Sequence, residues 1–200
     1  MNRSVVDREG MRSEWAERIR AKGRSRGHGF KVTRLGHVAL HVANLERSVA
    51  FYTEVLGFEV SDVYPATMMP GGMVFLRFNA DHHGIALVGG AERRATSAEL
   101  HHVAFEVGSL DEVVRARDHL RACGAVITFE GRRRAGCQLA VEFEDPDGHA
   151  LEIYWGLDQI GSDGQTRPPG EWRAAASLAE AIADAPIGQD TALGDPSLNP

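Results

Sequence analysis

The stretch Leu35-Gly36-His37-Val38-Ala39-Leu40-His41-Val42 returns 65 residues later as Leu100-His101-His102-Val103-Ala104-Phe105-Glu106-Val107. Val38, Leu40 and Val42 fall on one face of an extended chain, and His37, Ala39 and His41 on the other. This is the period of two expected of a strand with one buried face. The repetition continues past the strand, because Leu45 falls on Leu110 and Val49 on Val114 at the same offset. Asn44 caps a helix over 45–56 that gathers Leu45, Val49, Tyr52 and Leu56 on one side, with Gly57 in the C-cap position. In the second copy Ser109 and Glu112 form a capping box for a helix running to Cys123, and Gly124 ends it. Three strands are predicted after each helix, over 58–64, 73–78 and 85–88, then over 126–130, 139–143 and 150–155. The turn Asp145-Pro146-Asp147-Gly148 separates the last two. The chain is therefore a duplicated β-α-β-β-β unit of the α+β class, with modules over 33–90 and 99–156 in a domain over 32–156. A single unit cannot bury both faces alone. The two are expected to pack as curved mixed sheets around a shared cleft.

The flanks read differently. Residues 1–31 form a polar, Arg-rich arm with a short helix over 13–22 that puts Trp15 and Ile19 on one face. Residues 157–200 form a C-terminal extension, in which Pro168-Pro169 leads into one helix over 171–184. That helix carries a capping box at Ser177 and Glu180, and a loose tail follows it.

Composition narrows the function classes. In 200 residues, 43% are hydrophobic, 25% are charged and the formal net charge is −6. A core of ordinary size is available, and the acidic balance speaks against a general nucleic-acid binder. No run approaches the ~20 apolar residues of a membrane span, and the first residues lack the apolar core of a secretory signal. A cytoplasmic protein is expected. Cys123 and Cys137 make neither a disulfide framework nor a metal-site spacing. Nine histidines remain to be explained.

With a histidine at the start of each half, the duplicated unit resembles the vicinal oxygen chelate superfamily of glyoxalases, bleomycin- and fosfomycin-resistance proteins, epimerases and type I extradiol dioxygenases. The resemblance covers about 33–155. It rests on Leu35-Gly36-His37-Val38-Ala39-Leu40, on Leu100-His101-His102-Val103-Ala104-Phe105, and on Asp145-Pro146-Asp147-Gly148-His149-Ala150-Leu151-Glu152. It implies a metal centre in the cleft held by His37, His102 and Glu152, loaded with Fe(II) or, alternatively, Mn(II). The residue types agree. Glu152 lies between apolar neighbours on the last strand and needs a partner there. Two imidazoles and a carboxylate on one side of a metal form the facial triad of non-haem Fe(II) sites. Pseudo-twofold packing is expected to point His37 and His102 into the same cleft.

Two further features of the resemblance favour the dioxygenase branch. Subtracting 65 from Glu152 gives Leu87, which cannot supply the fourth side-chain ligand usual in glyoxalase-like members. The segment Asn79-Ala80-Asp81-His82-His83-Gly84-Ile85-Ala86-Leu87 is similar to the one that carries the acid/base histidine of extradiol enzymes, which implies that role for His83, with His82 in reserve. Arg133 and Glu142 stand where two-domain extradiol enzymes carry a histidine and a tyrosine. Glu142 can accept a catechol proton, and Tyr154, on the face of Glu152, can stand in for the phenol. The implied activity is cleavage of a small aromatic diol with O2 by a homo-oligomer that binds neither nucleic acid nor membrane. The rivals are a glyoxalase-like isomerase, epimerase or thiol transferase using the same triad as a Lewis acid, and a drug-binding resistance module without catalytic metal. Among the remaining residues, His101 points to the other face, His41 lines the cleft, and His28, His119 and His149 face solvent. The run 132–134 is a solvated loop, and Phe75, Phe78, Phe105 and Phe143 are mostly core.

Overall fold

Equivalent caps start equivalent helices. In the computed structural model, which describes residues 6–23, 29–30, 32–161 and 164–200, Asn44 accepts a hydrogen bond from the Arg47 amide at 2.9 Å. Ser109 does the same for the Glu112 amide at 3.3 Å. The first cap opens helix α2 (Leu45–Ala50), whose last stretch Phe51–Val55 widens into a π turn. The second opens α3 (Leu110–Ala122). Gly57 and Gly124, each with φ of 73°, turn the chain out of its helix in the left-handed conformation that a side chain would resist.

Each module forms one four-stranded sheet. The first contains β1 (Val38–Val42), β2 (Glu59–Tyr64), β3 (Met73–Arg77) and β4 (Ile85–Gly89), in the order β1-β4-β3-β2. The second contains β5 (Val103–Glu106), β6 (Val126–Arg132), β7 (Leu139–Glu144) and β8 (Ala150–Trp155), in the order β5-β8-β7-β6. In both, the first strand pairs in parallel with the last and the other pairings are antiparallel. Leu40, Val42, Leu76 and Leu87 of one sheet and Val103, Leu139, Phe143 and Leu151 of the other join the helices in a single apolar core. That core fixes which face of each sheet is left for chemistry. Of the four phenylalanines expected there, Phe143 is fully buried, Phe105 packs at the margin and Phe78 is largely exposed. Phe75 lies on the opposite face, against His82 and His83.

The two modules are tied by the acidic turn before β8. Asp147 accepts hydrogen bonds from the Ala43 amide at 2.8 Å, the Arg47 guanidinium at 2.8 Å and the Ser48 hydroxyl at 2.5 Å. Asp145 accepts from the Tyr52 hydroxyl at 3.1 Å and is bonded to His149 Nδ1 at 2.8 Å. His149 is therefore largely buried as a structural partner, where a solvent-facing residue was expected. Burial, reinforced by Asp145 and Asp147, pushes the Tyr52 phenol well above its ordinary range.

The C-terminal extension departs from its sequence pattern. Its helix α4 (Leu178–Ala183) begins only at the Ser177 cap, because the preceding segment is drawn out to bridge Arg132 through Ala175. Arg132, 1% exposed, is not part of a solvated loop. Its guanidinium donates to the carbonyls of Ala181 and Asp184 and to Gln189 Oε1, strapping the extension onto the second module. The expected loose tail is docked along α3, where Asp111 accepts from the amides of Gly194 and Asp195. In the N-terminal arm, α1 (Glu14–Lys22) forms as expected, with Trp15 and Ile19 exposed. His28 lies outside the described residues. No helix among them is long and apolar enough to cross a membrane.

Candidate functional site

The strand registers define equivalent positions on the two faces turned away from the helices. In the first sheet Ala39 pairs with Ala86, Ala86 with Phe75, and Phe75 with Asp62. In the second, Ala104 pairs with Glu152, Glu152 with Glu142, and Glu142 with Phe129. Directly paired residues share a face. The first-module counterpart of Glu152 is thus Ala86 and not Leu87, which pairs with Leu40 and belongs to the core. Constant subtraction failed because 47 residues separate Ala39 from Ala86 and 48 separate Ala104 from Glu152. The chemical inference is unchanged, since alanine can no more bind a metal than leucine can.

The second-module face gathers acid and imidazole. Glu152 is 1% exposed, and its nearest partners are His102 Nε2 at 3.4 Å and Gln138 Nε2 at 3.5 Å. Both distances lie at or beyond the outer limit of a good charged hydrogen bond. Burial, and then the charge of Glu142, pushes the Glu152 carboxyl above its usual range, while His102 pulls it back. Beside it the Arg133 guanidinium binds Glu142 Oε1 and lies 3.7 Å over the Phe129 ring. Tyr154 shares this face at the register of Ala140. Its phenol is raised by burial first, then by Glu106 and Glu152. His101 Nδ1 lies 2.7 Å from His102 Nδ1.

The first-module face is aromatic and rich in imidazole. His37 packs against His83 with ring centroids 4.6 Å apart, and His83 against Phe75 at 4.9 Å. His82 Nδ1 lies 3.0 Å from His83 Nδ1, and His82 Nε2 lies 3.3 Å from Asp62 Oδ2. Partial burial, followed by His37 and His82, holds the His83 imidazole below the ordinary histidine range.

The edge strands β1 and β5 run beside each other head to tail. One cavity of about 240 Å³ between them takes His37 from the start of β1 with Glu106 and Tyr154 from the far ends of β5 and β8. A second takes Leu40 and His41 from the end of β1 with Leu100 ahead of β5. The pseudo-twofold relation therefore sends His37 and His102 to opposite ends of the seam. One chain brings together His102 and Glu152, and separately His37 and His83. Among the described residues, no group of three His, Cys, Asp or Glu side chains is close enough to hold a metal ion.

The donor set nevertheless suits a divalent cation. A buried carboxylate without a close positive partner, beside an imidazole, presents the nitrogen and oxygen donors such an ion takes. Gln138 Oε1, also buried, has no hydrogen-bond partner. Sequence reasoning had no signal for Gln138, which precedes β7 in an ordinary loop, nor for Asp62, which a β-bulge between Val60 and Asp62 sets opposite Phe75.

The family model described as the Glyoxalase/Bleomycin resistance protein/Dioxygenase superfamily matches residues 34–153. The 3-methylcatechol 2,3-dioxygenase of Pseudomonas putida strain F1 is 33% identical over 129 residues, 63% of this chain and 43% of that protein. The biphenyl-2,3-diol 1,2-dioxygenase of Paraburkholderia xenovorans LB400 is 34% identical over 124 residues, covering 60% and 40%. The match thus spans about two fifths of each of these relatives. A crystal structure of a glyoxylase/bleomycin resistance protein/dioxygenase domain from Frankia sp. EAN1pec shares the fold, with a TM-score of 0.55 and 23% identity, covering 63% of this chain and 99% of that one.

Proposed function

This chain belongs to the Glyoxalase/Bleomycin resistance protein/Dioxygenase superfamily, and we propose that it is an extradiol dioxygenase, cleaving the ring of a small aromatic diol with O2. The observation that carries the reading is the buried Glu152 carboxylate beside His102, at a register where the first module offers only Ala86. The proposed metal ligands are His102 and Glu152 from one chain and His37 from a second copy, whose first-module face covers the second-module face of its partner. A homodimer closed by a twofold axis completes two such sites at once. The head-to-tail seam supports this arrangement, because a single chain keeps the two halves of the triad apart. Fe(II) is the proposed ion, with Mn(II) as the alternative. When bound, it supplies the Lewis acidity that acidifies a catechol hydroxyl and leaves coordination positions for diol and O2.

The side chains around it divide the remaining work. Glu142, held by Arg133, accepts a proton from a substrate hydroxyl. Tyr154 offers a phenol donor to a substrate oxygen from the same face. His83 exchanges the second proton, and partial burial with the neighbouring His37 and His82 lowers its basicity. Phe75 on the first-module face supplies flat apolar surface to an aromatic ring.

The test is anaerobic loading with Fe(II), followed by air and 2,3-dihydroxybiphenyl or catechol. Uptake of O2 with formation of the yellow ring-opened product, in proportion to bound iron, is the expected result. Bound metal without O2 uptake would instead favour an isomerase or thiol transferase using the same triad. Absence of metal binding would favour a binding module.

A further inference from the structure

Three imidazoles and one carboxylate line up on the first-module face: Asp62, His82, His83 and His37. The turn that carries the histidine pair is pinned on both sides. Asn79 Oδ1 accepts from the Asp81 amide at 2.8 Å, Asp81 pairs with Arg34 at 2.7 Å, and the Gly84 amide donates to the Leu76 carbonyl at 2.9 Å. The spacing along the row is that of hydrogen bonds, with 3.3 Å from Asp62 Oδ2 to His82 Nε2 and 3.0 Å between the two Nδ1 atoms.

We propose that Asp62 and His82 are positioning residues that set the tautomer of His83, placing its proton on Nδ1 and leaving Nε2 as the nitrogen with the free lone pair. The inference rests on the reading of His83 as the group that exchanges a proton with substrate. Each step follows from donor and acceptor counting. An ionised carboxylate only accepts, so Asp62 fixes the proton of neutral His82 on Nε2. His82 Nδ1 then carries a lone pair, and the facing His83 Nδ1 must carry the proton that joins them. A neutral imidazole has one such proton, so His83 Nε2 is bare. An imidazole whose other nitrogen has no fixed partner populates both tautomers, and the fraction with the wrong nitrogen protonated cannot act as a base through Nε2. The histidine pair and the aspartate thus form a unit in which the second member decides what the third can do.

The tautomer can be read directly in the full-length, metal-free protein with 15N-labelled histidine. Long-range proton–nitrogen correlation spectra at pH 8 distinguish a protonated Nδ1 from a protonated Nε2. In the unsubstituted protein His83 is expected to show a protonated Nδ1. Asp62→Asn, whose amide oxygen still accepts from His82 Nε2, should keep that pattern. Asp62→Leu and His82→Phe should move His83 to the protonated-Nε2 form or a mixture, with the backbone amide spectrum otherwise preserved because both side chains are exposed. In the iron-loaded enzyme Asp62→Leu should lower kcat by roughly tenfold, the usual scale for a second layer of hydrogen bonds, while KM stays within about twofold. A protonated Nε2 on His83 in the unsubstituted protein, or the same pattern in all the variants, would overturn the proposal. The spectra do not depend on turnover, so a wrong tautomer and a wrong reaction are separate outcomes.

Discussion

Ala86 and Glu152 occupy the same register in the two sheets, each paired with an alanine, Ala39 two residues beyond His37 and Ala104 two residues beyond His102. One copy of the duplicated unit has kept an acid at that register and the other a methyl group. In the proposed metal site that asymmetry leaves three side-chain donors, because Ala86 can add no fourth. It also leaves the metal-free protein with a buried carboxyl short of partners.

Glu152→Gln should therefore raise the stability of the metal-free protein at neutral pH while abolishing metal uptake. The sign follows from the raised carboxyl. A folded-state pKa above the unfolded value of about 4.3 penalises the ionised group in the fold at high pH, and the penalty vanishes as pH falls below that value. A gain on the order of 1 kcal/mol in urea unfolding is expected. Equal stability of the two proteins at pH 7.5 would contradict it.

Complementation tests the sharing of the site between two copies. His37→Ala and His102→Ala should each be inactive. Mixed after partial denaturation and refolding, half of the dimers carry both chains, and each of these has one intact site. Recovery of about one quarter of the unsubstituted activity is expected. A mixture as dead as its parents would place the whole triad within one chain.

Asp147 governs stability in acid. Its burial raises the carboxyl, but Ser48, the Ala43 amide and Arg47 together outweigh that and hold it below the usual range. A depressed folded-state pKa contributes stability that is complete above the unfolded value of about 3.9 and is lost as pH falls through the folded value. Asp147→Asn should flatten the acid limb of the stability profile. Asp147→Ala should cost about 3 kcal/mol at pH 7, because it strands three donors of the first module. Parallel acid limbs for Asp147→Asn and the unsubstituted protein would refute this.

Arg132→Met removes the donors that hold the C-terminal extension. Limited proteolysis should then release a fragment beginning near residue 157 at least tenfold faster, while catechol turnover, if the extension is only a strap, changes little. An unchanged cleavage rate would mean that Ala175 and the docked tail suffice alone.

Much of this was legible in the sequence because it is local. The caps at Asn44 and Ser109, the alternation of Val38, Leu40 and Val42, and the duplication itself depend on short-range rules, and the sheets form as those rules require. A constant offset puts Leu87 rather than Ala86 opposite Glu152, because it cannot see one extra residue. Register is settled by pairing, which is not local. The helix expected over 171–184 shortened because its first half found a better partner in the edge of β6. The distance between His37 and His102 was hidden for the same kind of reason. Two strands with the same pattern can meet side by side in either direction, and nothing in His37 or His102 encodes which.

The turn that clamps the modules together, Asp145 to Gly148, runs directly into the strand that carries Glu152. Two side-chain hydrogen bonds therefore join the first module to the residues just ahead of β8. A molecule wedged between β1 and β5 would pull on Ser48 and Tyr52, whose hydrogen bonds end on that turn. The seam between the modules is thereby joined to the strand that carries Glu152. Occupancy of the former should be felt as a change in the grip of the latter.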